Sequence, residues 1–448
     1  RHIEVQIIGD RLGTVWPVGV RDCTVQRRNQ KLLEEAPAPI LRPEQDAAIK
    51  SAAARLGREA GYVNAGTVEF MYDPNEERFW FMEVNARLQV EHPVTEVTTG
   101  LDLVKLQIHV AGGCTLDGEP PPTRGYAIEA RLNAEDPDRD FLPSPGLVEL
   151  LRFPAGPGIR VDSGVEEGDE IPAQFDSMIA KIIAHGGSRE EARSRLIRAL
   201  HQTNVVVRDG ATNKAFLNRL LISSEFIADS HNTGWVDGLV ANGGPALDGA
   251  GPALVAAAID GYHEQLMTEL IAFRDAASHG RPEIQPDPGK LVKLRFHGRR
   301  YQFNVDRTRP NRYRVAIGSH TIEARLKRLG RTRSRLQCGG REHRIVSVVH
   351  GATHFVEVDG VAHRITHDEG GIVRAASPAV VVAVDVAPGQ EVAVGDRLAV
   401  IEAMKMETTI VAEFAGVVRE VLVRENTQVS SGTPLLVVDP DEAFGGQA

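Results

Sequence analysis

Read for the spacing of its apolar side chains, the chain falls into three stretches of different period. From the second residue, His2-Ile-Glu-Val-Gln-Ile-Ile alternates polar and apolar positions, so the sequence opens inside a strand. Residues 1 to about 235 continue as short strands mixed with helical stretches, an α/β or α+β pattern. Ser188 followed three residues on by Glu191 predicts a capping box, after which Ala192, Leu196, Ile197 and Leu200 share one helical face. Asp102 to Val110 reads as an ordinary amphipathic helix. Around Ala241 to Pro252 the composition turns to Gly, Pro and Ala, which predicts a linker, set at 236–252. From Ala253 to about Ser278 the pattern is one long helix, with Leu254, Ile259, Leu266, Leu270 and Phe273 among its apolar positions. After the proline-rich break Arg281 to Gly289 come about eight short alternating runs, from Leu291-Val-Lys-Leu-Arg-Phe to Val361-Ala-His-Arg-Ile-Thr, separated by tight turns such as His297-Gly298 and Asp359-Gly360. Residues 253–370 therefore read as a helix plus an eight-stranded antiparallel β-barrel.

The last stretch, from about Ser377 to Asp439, is all-β and contains an internal repeat. Val381, Val384, Val386, Val392, Gly395, Leu398 and Val400 recur as Val418, Val421, Val423, Val429, Gly432, Leu435 and Val437, at the constant shift that carries 381 to 418. Two similar halves predict a flattened barrel with quasi-twofold symmetry, whose connection passes through Glu402-Ala-Met-Lys405-Met-Glu407. A turn lysine is ordinarily a solvated one, with the methionines turned into the core.

Composition narrows the class. At 448 residues the chain suggests roughly three domains. A formal charge of −10 argues against a dedicated nucleic-acid or anionic-membrane binder. Three widely spaced cysteines support neither a disulfide framework nor a zinc site, so a reducing compartment is expected. No run approaches the roughly 18 apolar residues of a membrane span, which predicts a soluble protein, cytoplasmic or, in a eukaryote, of the mitochondrial matrix. With a strand interior first and no initiating Met, the sequence is expected to be a fragment that begins part-way through a domain.

One hairpin carries candidate chemistry. Thr67-Val-Glu-Phe-Met-Tyr72 and Arg78-Phe-Trp-Phe-Met-Glu-Val-Asn85 flank the loop Asp73 to Glu77, and a symmetric hairpin sets Glu69 opposite Glu83 with Thr67 opposite Asn85. Like charges directly opposite destabilise a sheet. A divalent cation with hard oxygen ligands, such as Mg²⁺, removes that penalty; two solvated glutamates on an exposed face are the plain alternative. A solvated basic turn is likewise the plain account of Arg27, Arg28 and Lys31.

Longer motifs tip the balance. Arg1-His2-Ile-Glu4-Val-Gln6, Arg21-Asp-Cys-Thr-Val-Gln26-Arg-Arg-Asn29-Gln-Lys31, Glu83-Val-Asn85-Ala-Arg87-Leu-Gln89-Val90-Glu91-His-Pro-Val-Thr-Glu96, Arg131-Leu-Asn-Ala-Glu-Asp-Pro137 and Phe141-Leu-Pro-Ser-Pro-Gly146 together resemble the biotin carboxylase component of biotin-dependent carboxylases, over residues 1–235. The resemblance implies a partial ATP-grasp fold. It assigns Glu69, Glu83 and Asn85 to Mg²⁺, or Mn²⁺ in its place, and His2, Gln26, Asn29 and Met71 to ATP. Lys31, Arg87, Gln89 and Val90 match the bicarbonate pocket, Glu91 the general base that deprotonates bicarbonate, and Arg131 the group that stabilises the biotin enolate. Asn29 stands where many relatives carry His, a change expected to be tolerated. The family's N-terminal domain, glycine-rich lid and phosphate-binding lysines do not occur in this sequence, so the fragment by itself is expected to be inactive, a biotin carrier and assembly scaffold.

The segment 376–440 resembles a biotin carboxyl carrier domain through Ala403-Met404-Lys405-Met406, with Lys405 matching the biotinylated lysine; its opening Ala379-Val-Val381 departs from the family's usual Met-Pro-Gly. The stretch 253–370 is far too short for a carboxyltransferase and resembles in position and pattern the interaction domain of acyl-CoA carboxylase α chains. The whole therefore resembles a multidomain α+β acyl-CoA carboxylase α chain. That implies a carboxyltransferase as partner or further domain, a biotin protein ligase, an acyl-CoA substrate reached through the carboxyltransferase, and a large oligomer.

Overall fold

A computed structural model describes residues 1–137, 140–172, 175–208, 210–241, 249–280, 289–350, 352–367, 371–375, 379–403, 406–412, 414–430 and 432–440. The chain divides into two compact units, with the main break after Ala246.

The first unit is built on an eight-stranded sheet. Its central strands are β1 (His2–Gly9), β2 (Val15–Arg27), β3 (Gln30–Ala36), β4 (Asn64–Asp73), β5 (Arg78–Asn85) and β6 (Tyr126–Asn133). They run in the order β6-β3-β2-β1-β4-β5, extended beyond β6 by Met178–Gly186 and then Ile159–Ser163. Every residue of β1 is buried, as expected of a strand paired on both sides. The two-residue period sends Ile3, Val5 and Ile7 to one face, where they meet Ile49 and Ala53 of helix α1 (Pro43–Glu59). Pro43 starts that helix, where a missing N–H costs nothing. The alternate positions His2, Glu4 and Gln6 point to the opposite face, across which helix α2 (His92–Thr99) packs through Val94 against Ala36, Ala127 and Ile183.

Ser188 caps the helix Arg189–Gln202 by accepting from Glu191 N–H, while the Glu191 carboxylate returns to Gly187 N–H rather than to the cap itself. Ala192, Leu196, Ala199 and Leu200 of that helix are buried. The stretch read as a linker is helical at both ends: Trp235–Ala241 forms a helix that buries Val236, and the next helix already begins at Ala250, with Pro252 in a first turn that tolerates it. Residues 242–248 lie outside those described.

In the second unit the helix Ala250–His279 accompanies a closed barrel of eight antiparallel strands between Lys290 and His367. Ala253 to Ile259 are buried on every side, against inward residues such as Val292, Val305, Val315, Leu336 and Ile365. The helix therefore plugs the barrel with its alanine-rich first half. Leu270 and Phe273, read as apolar positions of the same helix, are exposed because the second half runs past that core.

The C-terminal part consists of two four-stranded sheets. One shift relates its halves strand for strand: Ala379–Val384 to Gly416–Val421, Glu391–Val392 to Gln428–Val429, and Arg397–Ala403 to Pro434–Pro440. Each strand and its equivalent occupy the same place in opposite sheets, the quasi-twofold arrangement the repeat predicts. The hairpin ladder runs to Ala403 opposite Met406. Lys405 lies outside the described residues.

Candidate active site

The polar face of the first unit's sheet carries a row of charge. Arg21, Glu4, Glu69 and Glu83 are successive cross-strand partners on β2, β1, β4 and β5, and Thr67 and Asn85 pair in the adjoining row. Three glutamates in line would repel; buried cations offset this. Arg21, wholly buried, donates Nε to Glu4 Oε1 at 2.5 Å, Nη1 to Gln6 Oε1 and Thr95 Oγ1, and Nη2 to Thr67 Oγ1. Lys31 Nζ donates to Glu4 Oε2 at 2.8 Å and Glu91 Oε1 at 2.6 Å, and lies 3.4 Å from Glu69 Oε1. Burial alone would raise the pKa of Glu4, but the charges of Arg21 and Lys31 overcome it and hold the carboxyl well below the usual range. Burial opposes the charge of Lys31 too, and the acidic groups around it, Cys23, Glu4 and Glu91, push its pKa up all the same.

Lys31 reaches this face through an irregularity. Val25 pairs with Leu33, yet Gln26 pairs with Lys31, so Leu32 is an extra residue in β3. Both Leu32 and Leu33 enter the apolar core, and the bulge turns Lys31 to the side that bears Glu34.

Glu91 stands at the N-cap of α2 with one cation on each oxygen: Lys31 on Oε1 and Arg131 Nη2 on Oε2 at 2.9 Å. Arg131, on β6, also donates Nε to Glu34 Oε1 at 2.5 Å. Burial works against the Arg131 charge, and Glu34 and Glu91 outweigh it, so the guanidinium stays charged. A carboxylate placed between a lysine and an arginine is a candidate general base beside a small-anion site.

At the β4/β5 edge, Glu69 and Glu83 are direct partners and Asn85 Nδ2 reaches both, at 3.0 Å and 3.2 Å. Glu69 Oε2 lies 3.0 Å from His2 Nε2. Burial raises Glu69, and the His2 hydrogen bond and the Lys31 charge reverse this, leaving its pKa lowered. The residues present fit a hard divalent cation: two carboxylates converge on one point, and turning the Asn85 amide over adds Oδ1 as a third oxygen.

The remaining expected residues are placed as follows. Arg87 is exposed and donates Nη1 to Gln89 Oε1 at 2.8 Å; buried Gln89 reaches Glu69 Oε1 at 3.3 Å. Val90 joins through its carbonyl, which accepts from Lys181 Nζ at 2.9 Å. Gln26 pairs with Lys31 across β2/β3, and His2 with Met71, 37 % exposed, across β1/β4. Asn29, exposed, occupies the β2/β3 turn with φ of 65°, a left-handed conformation that Asn adopts readily.

Sequence reasoning gave no role to Glu4, Arg21, Cys23, Glu34, Glu129 or Lys181. The available signal is the alternation in β1 itself, where His2, Glu4 and Gln6 stand at every second position of a strand that is buried throughout.

The described residues thus bring together a general-base candidate between fixed cations and a carboxylate pair suited to a divalent ion, and the same chain contains a duplicated β domain. Three family models match: the ATP-binding domain of the carbamoyl-phosphate synthase L chain over residues 1–119, the biotin carboxylase C-terminal domain over 129–238, and the biotin-requiring enzyme model over 366–438. Biotin carboxylase 1 of Bacillus subtilis is 46% identical over 239 residues, 53% of this chain and 53% of its own length. The biotin-dependent acyl-coenzyme A carboxylase alpha3 subunit of Mycobacterium leprae is 35% identical over 443 residues, 97% of this chain and 64% of that protein; the mitochondrial propionyl-CoA carboxylase alpha chain of Homo sapiens is 33% identical over 472, 98% and 63%. Among solved structures, the biotin carboxylase domain of Hydrogenobacter thermophilus 2-oxoglutarate carboxylase, in complex with MgADP, ADP and bicarbonate, matches with a TM-score of 0.52 at 40% identity, covering 53% of this chain and 52% of that one. The chain belongs to the biotin-dependent carboxylase family. It spans about half to two thirds of the length of these three curated relatives. No helix among the described residues is long and apolar enough to cross a membrane.

Proposed function

We propose that this chain is the biotin-carboxylating component of an acyl-CoA carboxylase, a ligase that uses ATP and bicarbonate to carboxylate biotin carried on Lys405. The observation that carries the reading is the placement of Glu91 between Lys31 and Arg131, two fixed cations suited to holding a small anion beside a base. Lys31, Arg87, Gln89 and the Val90 backbone bind and orient bicarbonate. Glu91 removes its proton, and the resulting bicarbonate oxygen attacks the γ-phosphorus of ATP, forming carboxyphosphate as the bond to the leaving ADP breaks. Arg131 stands ready for the negative charge that develops on the ureido oxygen of biotin. Glu69 and Glu83, with Asn85, would hold Mg²⁺ or Mn²⁺, which supplies charge neutralisation at the phosphates. His2, Gln26, Asn29 and Met71 line the nucleotide, and Lys405 carries biotin on an arm long enough to leave the site.

The domains are taken as 1–235, the C-terminal part of biotin carboxylase; 253–370, an interaction domain; and 376–440, the biotin carrier. The relatives that cover nearly the whole chain are α chains of acyl-CoA carboxylases, which supports an acyl-CoA as the final acceptor and a carboxyltransferase as partner. Biotin protein ligase would load Lys405. Capturing the native enzyme on a streptavidin resin and weighing everything retained tests this reading. A biotinylated chain together with a non-biotinylated carboxyltransferase, or a single longer chain containing one, is expected; no capture would contradict it.

A further inference from the structure

Beside Arg131, the β3/β6 ladder sets Glu34 directly opposite Glu129, both side chains on the polar face. Partners in an antiparallel ladder hold their Cβ atoms about 5 Å apart. Neither residue has any exposed surface. The next row, Ala36 opposite Ala127, packs with Val94 and Ile183, so apolar groups close that end. Glu34 Oε1 accepts from Arg131, but Glu34 Oε2 and both oxygens of Glu129 have no hydrogen-bond partner among the described residues. A fully buried carboxylate without a donor is strongly disfavoured in its ionised form. Arg131 already divides its donors between Glu34 and Glu91 and gives none to Glu129. A neutral Glu129 has what Glu34 Oε2 lacks, a donor.

We infer that Glu34 and Glu129 form a carboxyl pair holding one proton and one negative charge, which positions Arg131: Glu129 remains a neutral acid that donates to Glu34, and Glu34 carries the charge that anchors the guanidinium. This rests on the assignment of Arg131 to the reacting centre. Two ionised glutamates there would drain the pull of Arg131 on the incoming anion; one leaves that pull intact. When Glu91 takes up the proton of bicarbonate it ceases to be an anionic partner of Arg131. Glu34 then keeps Nε fixed while Nη2 is released toward the reacting oxygen. The charged and titratable groups facing the pair are Arg131 on β6, Lys31 on β3, Cys23 on β2, Glu91 at the head of α2 and Lys181 on Met178–Gly186. Burial raises both carboxyls; Arg131 and Lys31 offset it only in part at Glu34, which is pushed up to about 7, while Glu129 lies well above the ordinary range.

The test uses the intact enzyme. Infrared spectra of the parent at neutral pH should contain the C=O band of a protonated, solvent-excluded carboxylic acid, and Glu129→Gln should remove it. Glu129→Leu, which cannot donate, should lower kcat for bicarbonate-dependent ATP cleavage by about tenfold, and Glu129→Gln, which can, should restore most of that loss. The parent should lose activity at alkaline pH as Glu129 gives up its proton, and Glu129→Gln should not. A band that survives Glu129→Gln, or a Gln variant as impaired as Leu, overturns the inference. If the Leu variant fails to fold, the band and the alkaline limb still decide. A parent with no bicarbonate-dependent ATP cleavage would defeat the functional assignment instead, with the band still reporting on the pair.

Discussion

Lys31 Nζ lies 2.6 Å from Glu91 Oε1, although the two residues are 60 positions apart in the chain. The contact joins strand β3 to the head of helix α2 and ties the buried charge row of β2, β1 and β4 to Glu91 at its end. Both partners are charged in a largely buried place, so the pair organises the site at some cost in stability unless each keeps its other contacts.

Glu91→Gln keeps the size of the side chain but removes the acceptor for a proton. Bicarbonate-dependent ATP cleavage should fall by about 10²- to 10⁴-fold in kcat, with the KM for ATP nearly unchanged. Steady-state kinetics of the intact enzyme check this; a variant with parental kcat would remove Glu91 from the chemistry.

Lys31→Met should strand Glu4 and Glu91 as buried carboxylates short of a partner. The loss of stability at neutral pH should be about 3–5 kcal/mol. The folded-state pKa of Glu4 is depressed, so its stabilising contribution is present above its ordinary value of 4.5 and is lost as the pH falls toward the folded value. Thermal unfolding of parent and variant should therefore converge as the pH drops below 4.5. A gap that widens on acidification would contradict the charge assignment.

At the β4/β5 edge, Glu83→Gln should leave the hairpin intact, since it relieves the repulsion with Glu69, and should raise the Mg²⁺ concentration needed for half-maximal ATP cleavage about tenfold or more. Mg²⁺ titrations at saturating ATP measure this. An unchanged requirement would mean the paired glutamates are structural.

Much of this was legible in the sequence, and the exceptions have physical reasons. The pairing of Glu69 with Glu83 follows from hairpin symmetry, but only because Met82 is an extra residue: beyond it Phe70 pairs with Phe81, one step off the symmetric register. Nothing in a residue string announces a bulge, and the same holds for Leu32, which re-aims Lys31. The polar positions of β1 look like a solvated face until both neighbouring strands and α2 are in place. Glu34 and Glu129 meet because β3 and β6 adjoin across more than 90 residues of chain, a relationship no local pattern encodes. The C-terminal halves were readable because duplication writes the fold twice. The plugging helix was read as a helix from Ala253 on, yet which half is core depends on where the barrel ends, so Leu270 and Phe273 are exposed against the pattern.

In the proposed reaction the Lys31–Glu91–Arg131 site puts a carboxyl group from bicarbonate onto biotin at Lys405. The most direct measurement is transfer of label from radiolabelled bicarbonate, with ATP and Mg²⁺, onto the biotinylated chain of the intact enzyme. The parent should acquire label that free avidin prevents, Lys405→Ala should acquire none, and Glu91→Gln should acquire it at least a hundredfold more slowly, roughly the loss expected of a missing general base. Label on the Lys405→Ala chain, or parental labelling in Glu91→Gln, would contradict the claim.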